Sequence, residues 1–220
     1  MKCTLTSVRW LIAVSCLWLI DANAQDNRDS RQETFMELMT KKEFPVAIKF
    51  SENGKEYTLT ATGAVYLERE GENQEKIPMY YLVHYMEAYQ FDPLEDLYEQ
   101  IIAAKAAKQL ELILARNTTA EKIQASVKKL LSSAERNYGI SLTKMQKEIN
   151  TLVQMFTEDY EKDEKFIFRW LPNGHMIVIL PDNKKKVINS GEFAGFFWRI
   201  WFGLMSPVDR GSLVSRVKLF

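Results

Sequence analysis

Cysteine and histidine are scarce in this sequence, and their scarcity excludes several kinds of chemistry. Among 220 residues there are only two cysteines and two histidines. Cys3 and Cys16 both lie near the N-terminus, within a segment that we expect to be cleaved off, so the rest of the chain offers no disulfide and no thiolate nucleophile. His84 and His175 have no histidine or acidic residue at metal-ligand spacing. The sequence therefore predicts no metal site and no cofactor.

The sequence also lacks an excess of either charge and lacks the loops that hold phosphates. Its 29 Lys and Arg residues balance 29 Asp and Glu residues, which gives no reason to expect a nucleic-acid partner. No glycine-rich phosphate loop is present, and no serine lies in a nucleophile-elbow pattern. We therefore assign no catalytic residue from motifs.

The first 24 residues have the pattern of a secretory signal peptide. Lys2 and Arg9 precede an apolar run from Trp10 to Ile20, and Ala22-Asn23-Ala24 then supplies the small residues of a cleavage site. No later stretch is apolar enough to span a bilayer. We expect a protein secreted to the bacterial periplasm, with no integral membrane span after cleavage.

Alternating and β-branched stretches predict a series of strands. Asn53-Gly54 and Asn173-Gly174 are strong signals for tight hairpin turns. Gly63 allows a bend or the close approach of another backbone. Met79–Tyr89 is apolar on both faces, which predicts a central strand covered on each side. The other predicted strands are Phe44–Ser51, Tyr57–Thr62, Ala64–Glu68, Gln109–Ala115, Phe166–Leu171, Met176–Leu180 and Lys184–Ile188.

The predicted helices are identified by capping residues and by apolar spacing. Thr118-Thr119-Ala120-Glu121 is a capping box. Phe193–Gly203 places its aromatic residues on one helical face, and we expect the helix to end through a left-handed Gly203. The remaining predictions are a short helix around Phe35, Leu38 and Met39, a helix from Asp92 to about Ala107, one from Leu142 to Phe156 that follows a break at Asn137–Gly139, and one opened by Ser206-Pro207-Val208-Asp209.

The order of these elements predicts an α+β fold. Strands separated by single helices or helix pairs indicate a mostly antiparallel sheet with helices packed on one side. No repeat or interdomain linker divides the chain. We expect a signal peptide at residues 1–24, an N-terminal extension at 25–43 and one domain at 44–220.

Tyrosines on the central strands are the most suggestive candidates for a binding site. Tyr66, Tyr81 and Tyr85 either belong to the core, as strand aromatics usually do, or line a pocket between sheet and helices. Arg116 and Arg169 each close or interrupt an apolar strand. An arginine there either pairs with a ligand carboxylate or covers apolar surface with its stem.

Several stretches of the sequence resemble the secreted bacterial chalcone isomerase-like family. The ending Trp201-Phe202-Gly203, followed by Pro207-Val208-Asp209, is the most specific of these stretches. The others are Phe44-Pro45, Leu59–Gly63, Leu110–Arg116 with Asn117–Ile123, Leu171-Pro172-Asn173-Gly174 and Glu192-Phe193. The resemblance implies an antiparallel sheet with helices on one side and a ligand cleft between them.

The resemblance also implies functional residues that this sequence lacks. Plant enzymes of the superfamily cyclise chalcones and related members bind fatty acids, and both uses depend on one arginine and one tyrosine. Val65 stands where the arginine is expected, and Thr119 or a neighbour stands where the tyrosine is expected. Arg69 would lie about 13 Å further along the strand, too far to substitute for that arginine.

Three functions follow as hypotheses. The first is a non-catalytic protein that binds a small apolar or amphipathic ligand such as a fatty acid, with Tyr66, Tyr81, Tyr85, Arg116 and Thr119 as candidate ligand contacts. The second is an isomerase (an intramolecular lyase) acting on a chalcone-like enone. The third is a structural or partner-binding module whose cleft is filled by side chains.

Overall fold

The computed structural model describes residues 32–218, so the predicted signal peptide lies outside the described residues. The strands are β1 (Thr34–Met36), β2 (Glu43–Pro45), β3 (Ala47–Glu52), β4 (Lys55–Glu70), β5 (Lys76–Met86), β6 (Lys108–Leu114), β7 (Lys165–Trp170), β8 (Met176–Ile179) and β9 (Lys185–Ile188). The helices are α1 (Leu97–Ala103), α2 (Ala120–Tyr138), α3 (Gln146–Val153), which follows a 3-10 turn at Leu142–Met145, α4 (Gly191–Phe202) and α5 (Arg210–Leu213).

Seven strands, β3 to β9, form one antiparallel sheet in sequence order. Both predicted hairpins are confirmed. Asn53 and Gly54 have φ values of 52° and 75°, the left-handed conformations that a tight two-residue hairpin turn needs. Gly174, between β7 and β8, has a φ of 85°. Strand β5 pairs on both edges and is apolar on both faces, as predicted for the central strand.

The sheet curls until side chains of its first and last strands meet. Lys185 Nζ on β9 lies 2.6 Å from a carboxylate oxygen of Glu52 on β3. The guanidinium of Arg169 on β7 lies 3.4 Å from the ring centroid of Phe50 on β3. The face on which Arg169 and Phe50 meet is therefore concave, and we call it the inner face. Its core includes Leu59, Val83, Tyr85, Ile177 and, from β2, Phe44.

All five helices contribute to the core on the opposite face, which we call the outer face. The aromatic side chains of α4 supply much of this core, as the spacing in the sequence predicted. Phe197 packs on Phe168 with ring centroids 4.9 Å apart, and Trp198 packs on Trp170 at 5.4 Å. The predicted α+β fold, with helices on one side of an antiparallel sheet, is confirmed.

Two helix predictions near the ends of strands were wrong, and in each case an acidic side chain explains the difference. Around Phe35 there is no helix, because the Glu37 carboxylate accepts hydrogen bonds from the backbone of Met39 and Thr40 and holds a turn between β1 and β2. The helix predicted from Asp92 begins only at Leu97. Asp92 instead caps a local turn, and Asp96 is the helix cap.

Of the predictions made for two glycines, one was wrong and the other was confirmed. Gly203 has a φ of −71°, so the prediction of a left-handed helix end there was wrong. Gly63 does mark the close approach of another backbone, as predicted. A Cβ atom at this position would lie 2.1 Å from the carbonyl oxygen of Ser212, at the end of α5. Strand β4 continues through Gly63 with a bulge at the preceding residue.

Candidate ligand-binding site

The three candidate tyrosines gather on the inner face of the sheet. Tyr66 and Tyr81 are paired across β4 and β5, with ring centroids 5.0 Å apart. Tyr81 also lies 5.8 Å from Phe44, and Lys42 Nζ lies 4.7 Å from its ring centroid. The helices pack on the opposite face. Of the two alternatives that the sequence left open, a pocket between sheet and helices therefore does not hold these tyrosines, and their role as ligand contacts stays a prediction.

Tyr85 lies deeper on the inner face and carries an unsatisfied hydroxyl. Its side chain is fully buried, and the hydroxyl has no hydrogen-bond partner among the described residues. Burial raises the pKa of this phenol above its ordinary value, and the nearby Glu111 carboxylate raises it further. Leaving a buried hydroxyl unpaired costs about 1–3 kcal/mol. The inner face therefore contains a buried polar atom that no described residue satisfies.

A cavity of ≈ 280 Å³ opens on the inner face, and none of the three tyrosines is part of its lining, although Tyr81 packs on the lining residue Phe44. Its walls are apolar, formed by Phe44, Pro45, Ile48 and Ile113. Its charged lining consists of Lys42, Glu43, Glu111, Asp163 and Lys165. Small-molecule sites usually measure about 300–1,000 Å³ and combine apolar walls with a few polar groups. This cavity is slightly smaller than that range and has that composition.

A row of polar side chains crosses the inner face beneath the cavity. Arg169 Nε donates to Gln109 Oε1 at 2.7 Å, and Gln109 Nε2 donates to Glu111 Oε1 at 2.8 Å. Lys165 Nζ donates to the other carboxylate oxygen of Glu111 at 3.2 Å. The sequence analysis missed Gln109, Glu111 and Lys165. The signal in the sequence that could have identified two of them is the alternation of Gln109 and Glu111 with leucines in β6.

Arg169 is buried on this face rather than exposed at the surface. Its guanidinium stacks on Phe50, and burial lowers its pKa from the ordinary value. The interpretation of Arg169 as a surface arginine was wrong, because the side chain is buried and its Nε donates to Gln109. Its role in the structure is to hold one end of the polar row.

Arg116 and Thr119 lie away from the cavity lining. Arg116 follows β6 and is half-buried. Thr119 is the N-cap of α2, and its hydroxyl accepts a hydrogen bond from the backbone N–H of Lys122. The start of α2 was predicted correctly, but the predicted capping box, which places Thr118 at the N-cap and Glu121 three residues on, was wrong by one residue, because Thr119 is the cap. The structure does not bring these two residues together with the three tyrosines.

The outer face, where the resemblance implies a cleft, is filled by side chains. Val65, in the position expected for the arginine, is buried against the helices. Trp198, Phe193 and Phe202 are fully buried there. The side chains of α4 thus fill the space between the sheet and the helices around Val65.

His84 is the main polar side chain of the outer face, and its hydrogen bonds fix it as a neutral ring. Trp198 Nε1 can only donate, so His84 Nε2 accepts from it at 3.3 Å. The Thr62 hydroxyl donates to the carbonyl of Leu213 at 2.8 Å and therefore accepts from His84 Nδ1–H at 2.7 Å. Burial lowers the pKa of His84 well below its ordinary value, and the charge of Lys108 lowers it further. His84 thus links β5 to β4 through Thr62 and to α4 through Trp198, and Thr62 extends this network to the last residue of α5.

Lys108 is a second buried titratable group on the outer face. Its Nζ donates to the carbonyls of Ile101 and Ile102, the last turn of α1, and lies 4.1 Å from the ring centroid of Trp170. Burial lowers its pKa to about 7. Lysine near the end of a helix stabilises the unpaired carbonyls there. Lys108 thus anchors α1 to the sheet.

A larger groove of ≈ 1240 Å³ runs between α1 and residues 87–89. Its lining contains four acidic residues, and three of them have structural partners. Asp96 caps α1, the Glu99 carboxylate binds the Arg199 guanidinium with contacts of 2.7 and 2.8 Å, and Glu87 accepts from the backbone of Ala107. Most acidic groups that line the groove therefore already have a hydrogen-bond or ion-pair partner. Within residues 32–218, no cluster of three or more His, Cys, Asp or Glu residues could hold a metal, and no helix is long and apolar enough to cross a bilayer.

Comparison with known proteins agrees with this architecture. The model of the chalcone isomerase-like family matches residues 75–213. No curated protein matches the chain. Among solved structures, a fatty-acid binding protein of Arabidopsis thaliana is similar, with a TM-score of 0.65, 11% identity, and coverage of 83% of this chain and 96% of that chain. At that identity, the likeness shows the fold alone. Because the matched residues make up more than half of the chain, this protein belongs to the chalcone isomerase-like family.

Proposed function

We propose that this protein is a non-catalytic binding protein for a small amphipathic or apolar molecule. The observation that carries the proposal is the inner-face cavity, in which apolar walls face a charged lining. An amphipathic ligand needs both features. A fatty acid is one example of this class, and the similar Arabidopsis protein is described as a fatty-acid binding protein.

The ligand lies on the inner face, with its apolar part against Phe44, Ile48 and Ile113. Tyr81 lies beside this cavity through its contact with Phe44, and Tyr66 stacks on Tyr81. These rings offer a surface that extends the apolar wall. None of the five candidate residues lines the cavity itself, and only Tyr81 and Tyr66 are connected to it, through the contact of Tyr81 with Phe44.

The absence of the expected arginine supports a role without catalysis. A developing enolate needs a positive charge close to its oxygen. Val65 is an apolar residue, and Trp198 and Phe202 fill the surrounding outer face. If this reasoning is correct, chalcone absorbance in the presence of the protein will decay at the rate of the buffer alone. Acceleration that is abolished by Arg116→Ala would instead support an isomerase.

We also propose that the protein is exported to a bacterial periplasm and loses residues 1–24. The charged start, the apolar run and Ala22-Asn23-Ala24 support export. The intact mass of the protein purified from the expressing cell tests this proposal. A mass that begins at Gln25 agrees with cleavage, whereas the mass of the full chain contradicts it.

Binding is tested by purifying the protein under native conditions, extracting it with organic solvent and identifying the extract by mass spectrometry. We expect a stoichiometric amphiphile. Ile48→Trp, which adds a large side chain to the cavity wall, should remove it. Val187→Trp places the same ring on an exposed position of β9 and should leave the extract unchanged. An empty extract from the unmodified protein, together with no binding of added amphiphiles, contradicts the proposal.

A partner-binding module is the second candidate, because the outer face is filled by side chains and a hairpin displays apolar residues. Met36, Leu38 and Met39 are 57%, 70% and 62% exposed around the turn between β1 and β2. An empty extract would favour this candidate. Its test is whether replacing Leu38 and Met39 by serine abolishes co-purification of a partner without changing thermal stability.

A further inference from the structure

The buried charge of the inner-face cavity is an acid, and its counter-ion is far more exposed than the acid itself. The side chain of Glu111 is 6% exposed, whereas that of Lys165, its partner, is 43% exposed. A lysine on a long flexible stem can leave such a pair at little cost, because its ammonium returns to water. The Glu111 carboxylate cannot leave, because it belongs to a buried strand position.

Glu111 is also held in a fixed orientation. Gln109 Nε2 binds one carboxylate oxygen, and Arg169 Nε in turn binds Gln109 Oε1. The second oxygen faces Lys165 alone at 3.2 Å. The cavity therefore presents one oriented carboxylate oxygen whose only partner is a displaceable ammonium.

Tyr85, whose hydroxyl has no hydrogen-bond partner among the described residues, is a neighbour of Glu111 on the inner face but does not line the cavity itself. Tyr85 is fully buried, lies on the same face as Glu111, and is close enough for the carboxylate charge to raise its pKa. A phenol can accept a hydrogen bond as well as donate one. The phenol is neutral because its pKa is raised, so Tyr85 does not balance the charge of the Glu111 carboxylate.

The rest of the lining argues against an anionic ligand head. Three carboxylates, those of Glu43, Glu111 and Asp163, face two ammonium groups, those of Lys42 and Lys165. Lys42 is already paired with Asp163. A ligand carboxylate would approach the buried Glu111 and be repelled by it, since the charges interact strongly where water is excluded.

We infer that the inner-face cavity binds an amphipathic primary amine, whose ammonium replaces Lys165 at Glu111 and whose apolar part packs on Phe44, Ile48 and Ile113. This inference rests on the proposed function and narrows its ligand class. It distinguishes an amine from an acid of the same chain length, which a purely apolar cavity would not do.

The test is calorimetric titration of the purified protein at neutral pH and low salt with octylamine and with octanoate. These probes share the same chain length and carry opposite charges. We expect octylamine to bind at least about tenfold more tightly than octanoate. Glu111→Gln keeps the size of the side chain but removes its charge, and it should weaken octylamine binding by about tenfold or more.

Lys165→Ala supplies a second variant that does not depend on the folding of Glu111→Gln. Removing the resident ammonium should strengthen octylamine binding, whereas a lysine with a purely structural role would leave it weaker or unchanged. Lys186→Ala, on the exposed strand β9, is the matched control and should change neither affinity. Thermal melts of each variant confirm that it is folded.

The possible failures of the inference and of the proposed function are distinguishable. Octanoate binding as tightly as octylamine, or octylamine binding insensitive to Glu111→Gln and Lys165→Ala, overturns the amine inference and leaves the proposed function standing. If neither probe binds and the solvent extract is empty, both fail.

Discussion

Acid should destabilise the folded protein through His84, and the effect can be worked out from its hydrogen bonds. The neutral ring accepts from Trp198 Nε1–H and donates to Thr62. Protonation would place an N–H on Nε2, directly facing the indole N–H, and would add a charge beside Phe202, whose ring centroid is 4.6 Å away. The folded state therefore favours the neutral form of the His84 ring.

The sign of the pH dependence follows from this preference. The pKa of His84 in the folded state lies well below 6.5, its value in an unfolded chain. As the pH falls below 6.5, the unfolded chain takes up a proton that the folded protein does not. The contribution of His84 to the free energy of unfolding is therefore fully present above pH 6.5 and decreases as the pH falls toward the folded-state pKa.

The slope is about 1.4 kcal/mol of unfolding free energy per pH unit while the folded ring remains neutral. A fall of two units then costs about 2.7 kcal/mol, a large part of the ~5–15 kcal/mol that stabilises a typical domain. Asp163, Asp182 and Asp209 have lowered pKa values through local hydrogen bonds, and they act in the same direction only nearer 3.8. The interval just below 6.5 therefore isolates the histidines.

Urea unfolding at a series of mildly acidic pH values measures this slope. His84→Gln removes the titrating ring and should flatten the pH dependence, whatever its effect on stability at neutral pH. His175→Gln is the natural control, because it replaces the only other histidine of the chain and lies beside the β7–β8 turn. Parallel slopes in the original protein and in His84→Gln would refute the reasoning.

Three further predictions concern other positions. Lys108 has a folded-state pKa of about 7 instead of 10.5, so the free energy of unfolding should rise by about 1.4 kcal/mol per pH unit between these values. In urea titrations, Lys108→Met should abolish that rise. An unchanged slope in this variant would exclude Lys108 as the source of the rise. Gly63→Ala should destabilise by about 1–3 kcal/mol or more and speed proteolysis of the C-terminal residues, because its Cβ would meet the Ser212 carbonyl oxygen at 2.1 Å. Gly195→Ala, with only an ordinary 3.5 Å contact to Trp170, is its control and should not lower the melting temperature. Thr119→Ala should cost about 1 kcal/mol of stability in thermal melts through loss of the α2 cap, with amphiphile binding unchanged; a selective loss of binding would instead assign Thr119 to the ligand site.

Local chemistry in the sequence was enough to predict much of the fold. The two Asn-Gly turns, a threonine cap at the start of α2 (one residue later than predicted) and the aromatic spacing of α4 each depend on residues close together in the chain, and each is found in the structure. Turn and cap preferences are properties of a few neighbouring residues, so no tertiary information was needed. Where two local signals competed, as at Asp92 and Asp96, the sequence alone could not choose between them.

The candidate site depended on the tertiary structure, because strands far apart in the sequence build it. The apolar spacing of β5 predicted two covered faces but could not say which of them would receive the helices. The curl of the sheet brings Arg169 to Phe50 and closes the inner face around Glu111. From the sequence alone, Tyr85 was one of several core aromatics, and Glu111 was a single polar residue in a strand. Only the pairing of β5, β6 and β7 places a buried carboxylate beside an unpaired hydroxyl, since strand register decides which side chains share a face.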